Sequence, residues 1–126
     1  MDRKNAGIDG LISDLENIDS VFSVILFGSV ARGENKPVSD IDLCILTEPH
    51  LKNETKSEIA SYGSDGIDIS FFWDLPSWIR YNVLREGRVL FNKNKEALHE
   101  ASVKTMSEYL DFKPILERNI KRVFGG

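Results

Sequence analysis

The sequence predicts an α/β (α+β) domain built on a small mixed β-sheet flanked by helices. Three observations lead there. Residues 8–18 set Ile8, Leu11, Ile12, Leu15 and Ile18 at helical spacing, with Asp14 and Glu16 off the stripe. Four short runs rich in β-branched and aromatic residues, at 21–27, 41–47, 67–72 and 88–91, have the length of strands and end at Gly or polar residues. The resulting order is helix, strand, turn, strand, helix, strand, helix, strand, helix. At 126 residues the chain suits one domain, 1–126, with 95–126 as a C-terminal helical segment.

Each element has a local reason. Val21 to Phe27 is an almost continuous apolar run ending at Gly28, which reads as a strand buried on both faces. Residues 29–39 are polar, with Gly33 and Pro37 as breakers, and Ser29 to Arg32 have room for only a brief helical turn. Ile41 to Thr47 is the second strand. Leu51 to Tyr62 is a weakly periodic helix stopped by Gly63, and Ile67 to Phe72 is the third strand. Asp74 is placed to cap the next helix, Pro76 to enter its first turn and Gly87 to end it. Arg88 to Phe91 reads as a short edge strand. The remainder is helical, with a kink or restart expected at Pro114.

Composition narrows the function. The chain is 41% hydrophobic and 29% charged, which is globular rather than disordered. Its formal net charge of −4 offers no global basic field for nucleic acid, so none is expected as a direct partner. Charge is unevenly spread: residues 80–126 carry 10 Lys and Arg against 6 Asp and Glu, residues 1–79 carry 6 against 14. Cys44 is the only cysteine, so no internal disulfide forms, and no apolar run suits a signal peptide or a membrane span. A soluble cytoplasmic protein is expected, with no membrane partner.

The chemistry sits in one constellation. Gly28-Ser29 is followed after ten residues by Asp40-Ile41-Asp42, and Asp68 alternates within Ile67-Asp68-Ile69-Ser70-Phe71. Side chains alternate along a strand, so Asp40 and Asp42 share a face opposite Ile41, Leu43 and Ile45. Asp68 leaves its strand opposite Ile67, Ile69 and Phe71. If these strands are neighbours, three carboxylates converge, and their mutual repulsion is relieved by divalent cations. Mg²⁺ takes a few carboxylates together with waters and substrate phosphates, and a pair of such ions can clamp an in-line displacement. Gly28 lets the backbone approach a ligand, and the Ser29 and Val30 amides with the Ser29 hydroxyl suit a phosphate. Arg32 and Lys36 in the same loop could neutralise a triphosphate tail. Asp-x-Asp or Gly-Ser alone carries little information; their order and spacing together carry much more.

The run Phe27-Gly28-Ser29-Val30-Ala31-Arg32-Gly33 with Ser39-Asp40-Ile41-Asp42-Leu43 resembles the signature of the polymerase-β-like nucleotidyltransferase superfamily. Its short length and Gly-Ser-x-Ala-Arg-Gly form look like the minimal nucleotidyltransferases (MNT proteins) of prokaryotes. The resemblance is strong from Val21 to Leu46, fair to Phe72 and general beyond. It implies that Asp40, Asp42 and Asp68 bind Mg²⁺ and that Gly28 and Ser29 hold the triphosphate of ATP. It also implies a partner: MNT proteins are antitoxins that transfer AMP from ATP to a tyrosine of a HEPN toxin. Two rival readings remain, a non-catalytic antitoxin that acts by binding alone and an aminoglycoside-type small-molecule adenylyltransferase.

Other residues have plainer expectations. His50 and His99 lack a spaced partner and belong on the surface. Cys44 is expected as a small buried residue under the site rather than a nucleophile. Trp73 and Trp78 are expected to pack the following helix rather than stack on an adenine. Arg80, Arg85 and Arg88 form a basic rim or decorate a helix. Tyr109, Leu110, Leu116, Ile120, Val123 and Phe124 make an apolar stripe that is either core or partner surface.

Overall fold

A computed structural model describes residues 3–28 and 41–123, without the side chains of 3–7, 112–117 and 119–123. The elements are α1 (Arg3–Glu16), β1 (Val21–Phe27), β2 (Ile41–Thr47), α2 (Asn53–Ala60), β3 (Ile67–Phe71), a 3₁₀ turn (Phe72–Asp74), α3 (Ser77–Glu86), β4 (Arg88–Asn92) and α4 (Lys95–Val123). The expected mixed sheet is present, in the order β3-β2-β1-β4. β1 runs antiparallel to both β2 and β4, while β2 and β3 are parallel and joined through α2. β4 lies at an edge, as its brevity suggested.

The two central strands are apolar on both faces because helices cover both. On one face Val24, Leu26, Leu43, Ile45 and Ile59 form a core with Leu15, against which Ile8 and Leu11 of α1 and Ile67 and Ile69 of β3 pack. On the other, Ile25, Cys44 and Leu46 meet Phe72, Val83 of α3 and Ala101 of α4. Adjacent residues of one strand therefore serve different cores: Leu43 and Ile45 look one way, Cys44 and Leu46 the other.

Several boundaries differ from the sequence reading. α1 begins five residues before Ile8, through a polar stretch that carries no apolar stripe. Asp74 does not cap α3. It lies in the 3₁₀ turn and pairs with Lys56 at 2.5 Å, while Pro76 occupies the N-cap position with no side-chain cap bond. The proline supplies a compatible φ of −65° and ends the turn without a capping oxygen. Gly87 does end α3, though its φ of −73° is ordinary. The reason is space: a Cβ there would overlap the Val83 carbonyl oxygen and meet Ile25 Cγ2 at 2.5 Å. α4 runs through Pro114 as one helix instead of restarting. The carbonyl four residues back, that of Leu110, is the one left without its helical donor by the proline.

Polar side chains tie the layers together. Asn94 Oδ1 accepts from the Ala97 amide at 3.0 Å and caps α4. Lys93 Nζ donates to the carbonyls of Glu16 at 2.6 Å and Ile18 at 2.8 Å, placing a cation at the C-terminal end of α1. Arg80 is the departure from expectation. Arg85 is exposed beside Glu86, as a decorating residue should be, but Arg80 is only 7% exposed. Its Nε donates to the Leu75 carbonyl at 2.9 Å, one Nη to Thr105 Oγ1 at 3.3 Å and the other to Glu108. Its plane also covers Phe72 and Trp73, so one guanidinium joins the 3₁₀ turn, α3 and α4. No described helix is long and apolar enough to cross a membrane.

Removing Arg80 would leave the buried Thr105 hydroxyl and the Leu75 carbonyl without their donor. Arg80→Met should lower unfolding stability by about 3 kcal/mol. Glu108→Gln should cost less, because the Glu108 side chain keeps 40% of its surface in water. Urea denaturation checks both, and an unchanged Arg80→Met midpoint would return Arg80 to the surface.

Candidate active site

Parallel pairing of β2 with β3 brings Asp42 and Asp68 into the same register position. Neighbouring strands lie about 4.8 Å apart, so the two carboxylates leave one face side by side. The antiparallel partner of Asp42 on its other flank is Phe27, the last residue of β1. The candidate site therefore lies where β1 ends and β2 and β3 begin. Asp42 is half-buried and Asp68 is exposed. Ile41, Leu43, Ile67 and Ile69 point to the opposite core, as strand alternation requires.

Gly28 follows Phe27 directly and has φ of +84°, the left-handed region that favours glycine. A Cβ built on it would overlap Oδ2 of Asp42 and come within 3.3 Å of its Cγ. The end of β1 and the Asp42 carboxylate are thus in direct contact. Ser29, Arg32, Lys36 and Asp40, also expected in the site, lie outside the described residues.

Beneath Asp42 on the same face is Cys44, fully buried. Burial pushes its thiol up to about 12 by penalising the thiolate. The small buried residue expected under the site is what the structure contains. Trp73 donates from Nε1 to the Thr47 carbonyl at 3.0 Å and stands edge-on to Phe72. That places it at the far end of β2, about 16 Å along the strand from Asp42, as a packing residue. Trp78 is 40% exposed on α3. His50 and His99 are exposed. Tyr109 stacks on Tyr81 at 4.1 Å, while Leu110 faces solvent, so the apolar stripe of α4 divides between contact and surface. The side chains of Leu116, Ile120 and Val123, and all of Phe124, lie outside the described residues.

The model of the family described as "Polymerase beta, Nucleotidyltransferase" matches residues 10–96, which run from the second half of α1 to the first residues of α4 and contain the paired carboxylates. The chain belongs to the polymerase beta nucleotidyltransferase family. Over 79 residues it is 30% identical to a Methanocaldococcus jannaschii protein provisionally named a protein adenylyltransferase. That match covers 63% of this chain and 62% of the relative's length. Among solved structures, a toxin–antitoxin complex with AMP-PNP contains a chain of 25% identity and TM-score 0.71, covering 94% of this chain and 97% of that one. A complex of a tri-AMPylated Shewanella oneidensis HEPN toxin with an MNT antitoxin matches with 23% identity, TM-score 0.65 and 94% coverage of each chain, a likeness of fold.

The donor set fits a divalent cation of the kind this nucleotidyltransferase family implies. Asp42 and Asp68 supply hard oxygens from rigid strands, and the exposed side at Asp68 leaves room for waters and phosphates. Nothing in the sequence indicated the contact between Gly28 and Asp42, because it joins the residue after β1 to the neighbouring strand β2.

Cys44 supplies a check that needs no ligand. With its pKa near 12, the native thiol stays protonated across neutral pH and only titrates at strongly alkaline pH. Ellman's reagent at pH 8 should label it only after unfolding in denaturant; rapid labelling of the native protein would place Cys44 outside the core.

Proposed function

We propose that this chain is a Mg²⁺-dependent nucleotidyltransferase that moves AMP from ATP to a hydroxyl acceptor, a tyrosine of a partner HEPN toxin, and thereby acts as the antitoxin. The observation that carries the reading is the in-register pair Asp42 and Asp68 beside the glycine that ends β1. Support for the acceptor class comes from the M. jannaschii relative, whose name specifies a protein acceptor, and from the toxin–antitoxin chain crystallised with an ATP analogue. The HEPN partner follows from the sequence resemblance to MNT proteins. A cytoplasmic location follows from the need for ATP and an intracellular partner.

In this mechanism Asp42 and Asp68, with Asp40, hold Mg²⁺, which supplies charge neutralisation on the triphosphate and the leaving group. Gly28, Ser29, Arg32 and Lys36 hold and neutralise the phosphates. The acceptor oxygen forms a bond to the α-phosphorus while the bond to the bridging oxygen breaks, and pyrophosphate leaves with that electron pair. Asp68 faces solvent at the sheet edge and so lies on the side from which an acceptor held by another protein can approach. A carboxylate there is placed to take the hydroxyl proton as the new bond forms.

The test is incubation of the chain with α-labelled ATP, Mg²⁺ and the HEPN partner. Label should appear on a partner tyrosine and vanish with EDTA. Asp68→Asn should fold normally, since it removes one of two neighbouring negative charges, yet slow transfer about a hundredfold or more. Partner binding without label would instead support an antitoxin that works by occlusion, and label on an aminoglycoside would support the small-molecule reading. Near-normal transfer by Asp68→Asn would make Asp68 a plain surface residue.

A further inference from the structure

We infer that Gly28 is a positioning residue for Asp42: its missing side chain is the space in which the Asp42 carboxylate is seated, and that seat sets where the cation is held. The inference rests on the reading of Asp42 as a metal ligand. A glycine after a β-strand is ordinarily explained by backbone freedom or by clearance for an approaching phosphate. The geometry here adds a third reason. A Cβ on Gly28 would overlap Asp42 Oδ2, lie 3.3 Å from Cγ and 3.6 Å from Cβ, so the atoms it meets first belong to the carboxylate.

The carboxylate is half-buried, so it can yield only by turning away from the end of β1. Asp42 is flanked by its register partners Phe27 on β1 and Asp68 on β3. Turning towards β3 brings it against a second negative charge. Turning inwards meets the face on which Cys44 is fully buried. Any side chain at position 28 therefore displaces that carboxylate oxygen, whereas metal–ligand distances tolerate only about 0.2 Å.

The fold contains its own control. Gly66 has φ of +86°, almost the same as Gly28, yet a Cβ built on it meets nothing within 4 Å. The φ angle is thus matched at the two glycines, and of the two only Gly28 touches Asp42. Asn is the substitution to use, because among residues with a Cβ it best tolerates positive φ.

The experiment measures Mn²⁺ binding by calorimetry, without nucleotide, and thermal unfolding of the same proteins. Gly28→Asn should weaken Mn²⁺ binding about tenfold or more, in the range seen when support for a metal ligand is lost. Gly66→Asn should change it by less than about twofold. In thermal unfolding, Gly28→Asn should lower the Tm much less in an Asp42→Ala background than in the wild type, because the overlapping carboxylate is gone. Unchanged Mn²⁺ affinity in Gly28→Asn, equal losses at both glycines, or the same Tm penalty in both backgrounds would each overturn the inference. If Gly28→Asn fails to fold, restored folding in Gly28→Asn/Asp42→Ala supports it and continued failure overturns it. A wild-type chain that binds no Mn²⁺ removes the metal reading, and the unfolding cycle then decides on its own whether Gly28 seats Asp42.

Discussion

Two carboxylates in register on adjacent parallel strands repel one another, and the rest of this structure holds them there. Asp42 and Asp68 gain nothing from proximity in the absence of a cation. They stay together because β2 and β3 are bound by a backbone ladder and by the isoleucines beneath them. Ile41, Leu43, Ile67 and Ile69 all enter the core covered by α1 and α2, which fixes the register by burial. A slip of one residue would turn Asp68 inwards and Ile67 or Ile69 outwards, so hydrophobic burial opposes it along the whole strand.

The opposite face of the sheet supplies support of another kind. Below Asp42 the surface closes quickly over Cys44, Ile25 and Phe72. The helices there are joined through Arg80, which neutralises Glu108 and fills the space above Phe72 and Trp73. A buried guanidinium is a demanding way to join elements, because every one of its partners must be in place. It makes the 3₁₀ turn, α3 and α4 dependent on one another. That block packs against the same face of the sheet that displays the carboxylates, so the site opens at the strand ends rather than in the middle of the sheet.

Gly28 connects the two halves of the motif. In this chain the contact between Gly28 and Asp42 ties the end of β1 directly to the strand of the Asp-x-Asp motif. Strand β1 ends where the carboxylate needs room. The exposure of Asp68 at the sheet edge, against the half-burial of Asp42, makes the pair asymmetric. Asp42 is held by its surroundings and Asp68 is open to solvent, an asymmetry that suits the proposed transfer to a second molecule.

The strands, their alternation and the placement of the carboxylates on one face were legible in the sequence because each depends on residues close together in the chain. Asp42 must oppose Ile41 and Leu43, and Asp68 must oppose Ile67 and Ile69, whatever the fold around them. Strand neighbours, in contrast, are set by pairings between distant segments. Only the tertiary structure decided that β2 lies parallel to β3 in the register that aligns Asp42 with Asp68. It decided that Arg80, one of three similar arginines by local pattern, is the buried one. It also decided that Pro76 rather than Asp74 stands at the start of α3, and that α4 continues through Pro114. The contact of Gly28 with Asp42 belongs to the same class, since two residues fourteen apart become neighbours only when β1 and β2 pair. Local periodicity determines which way a side chain faces; long-range packing determines what it finds there.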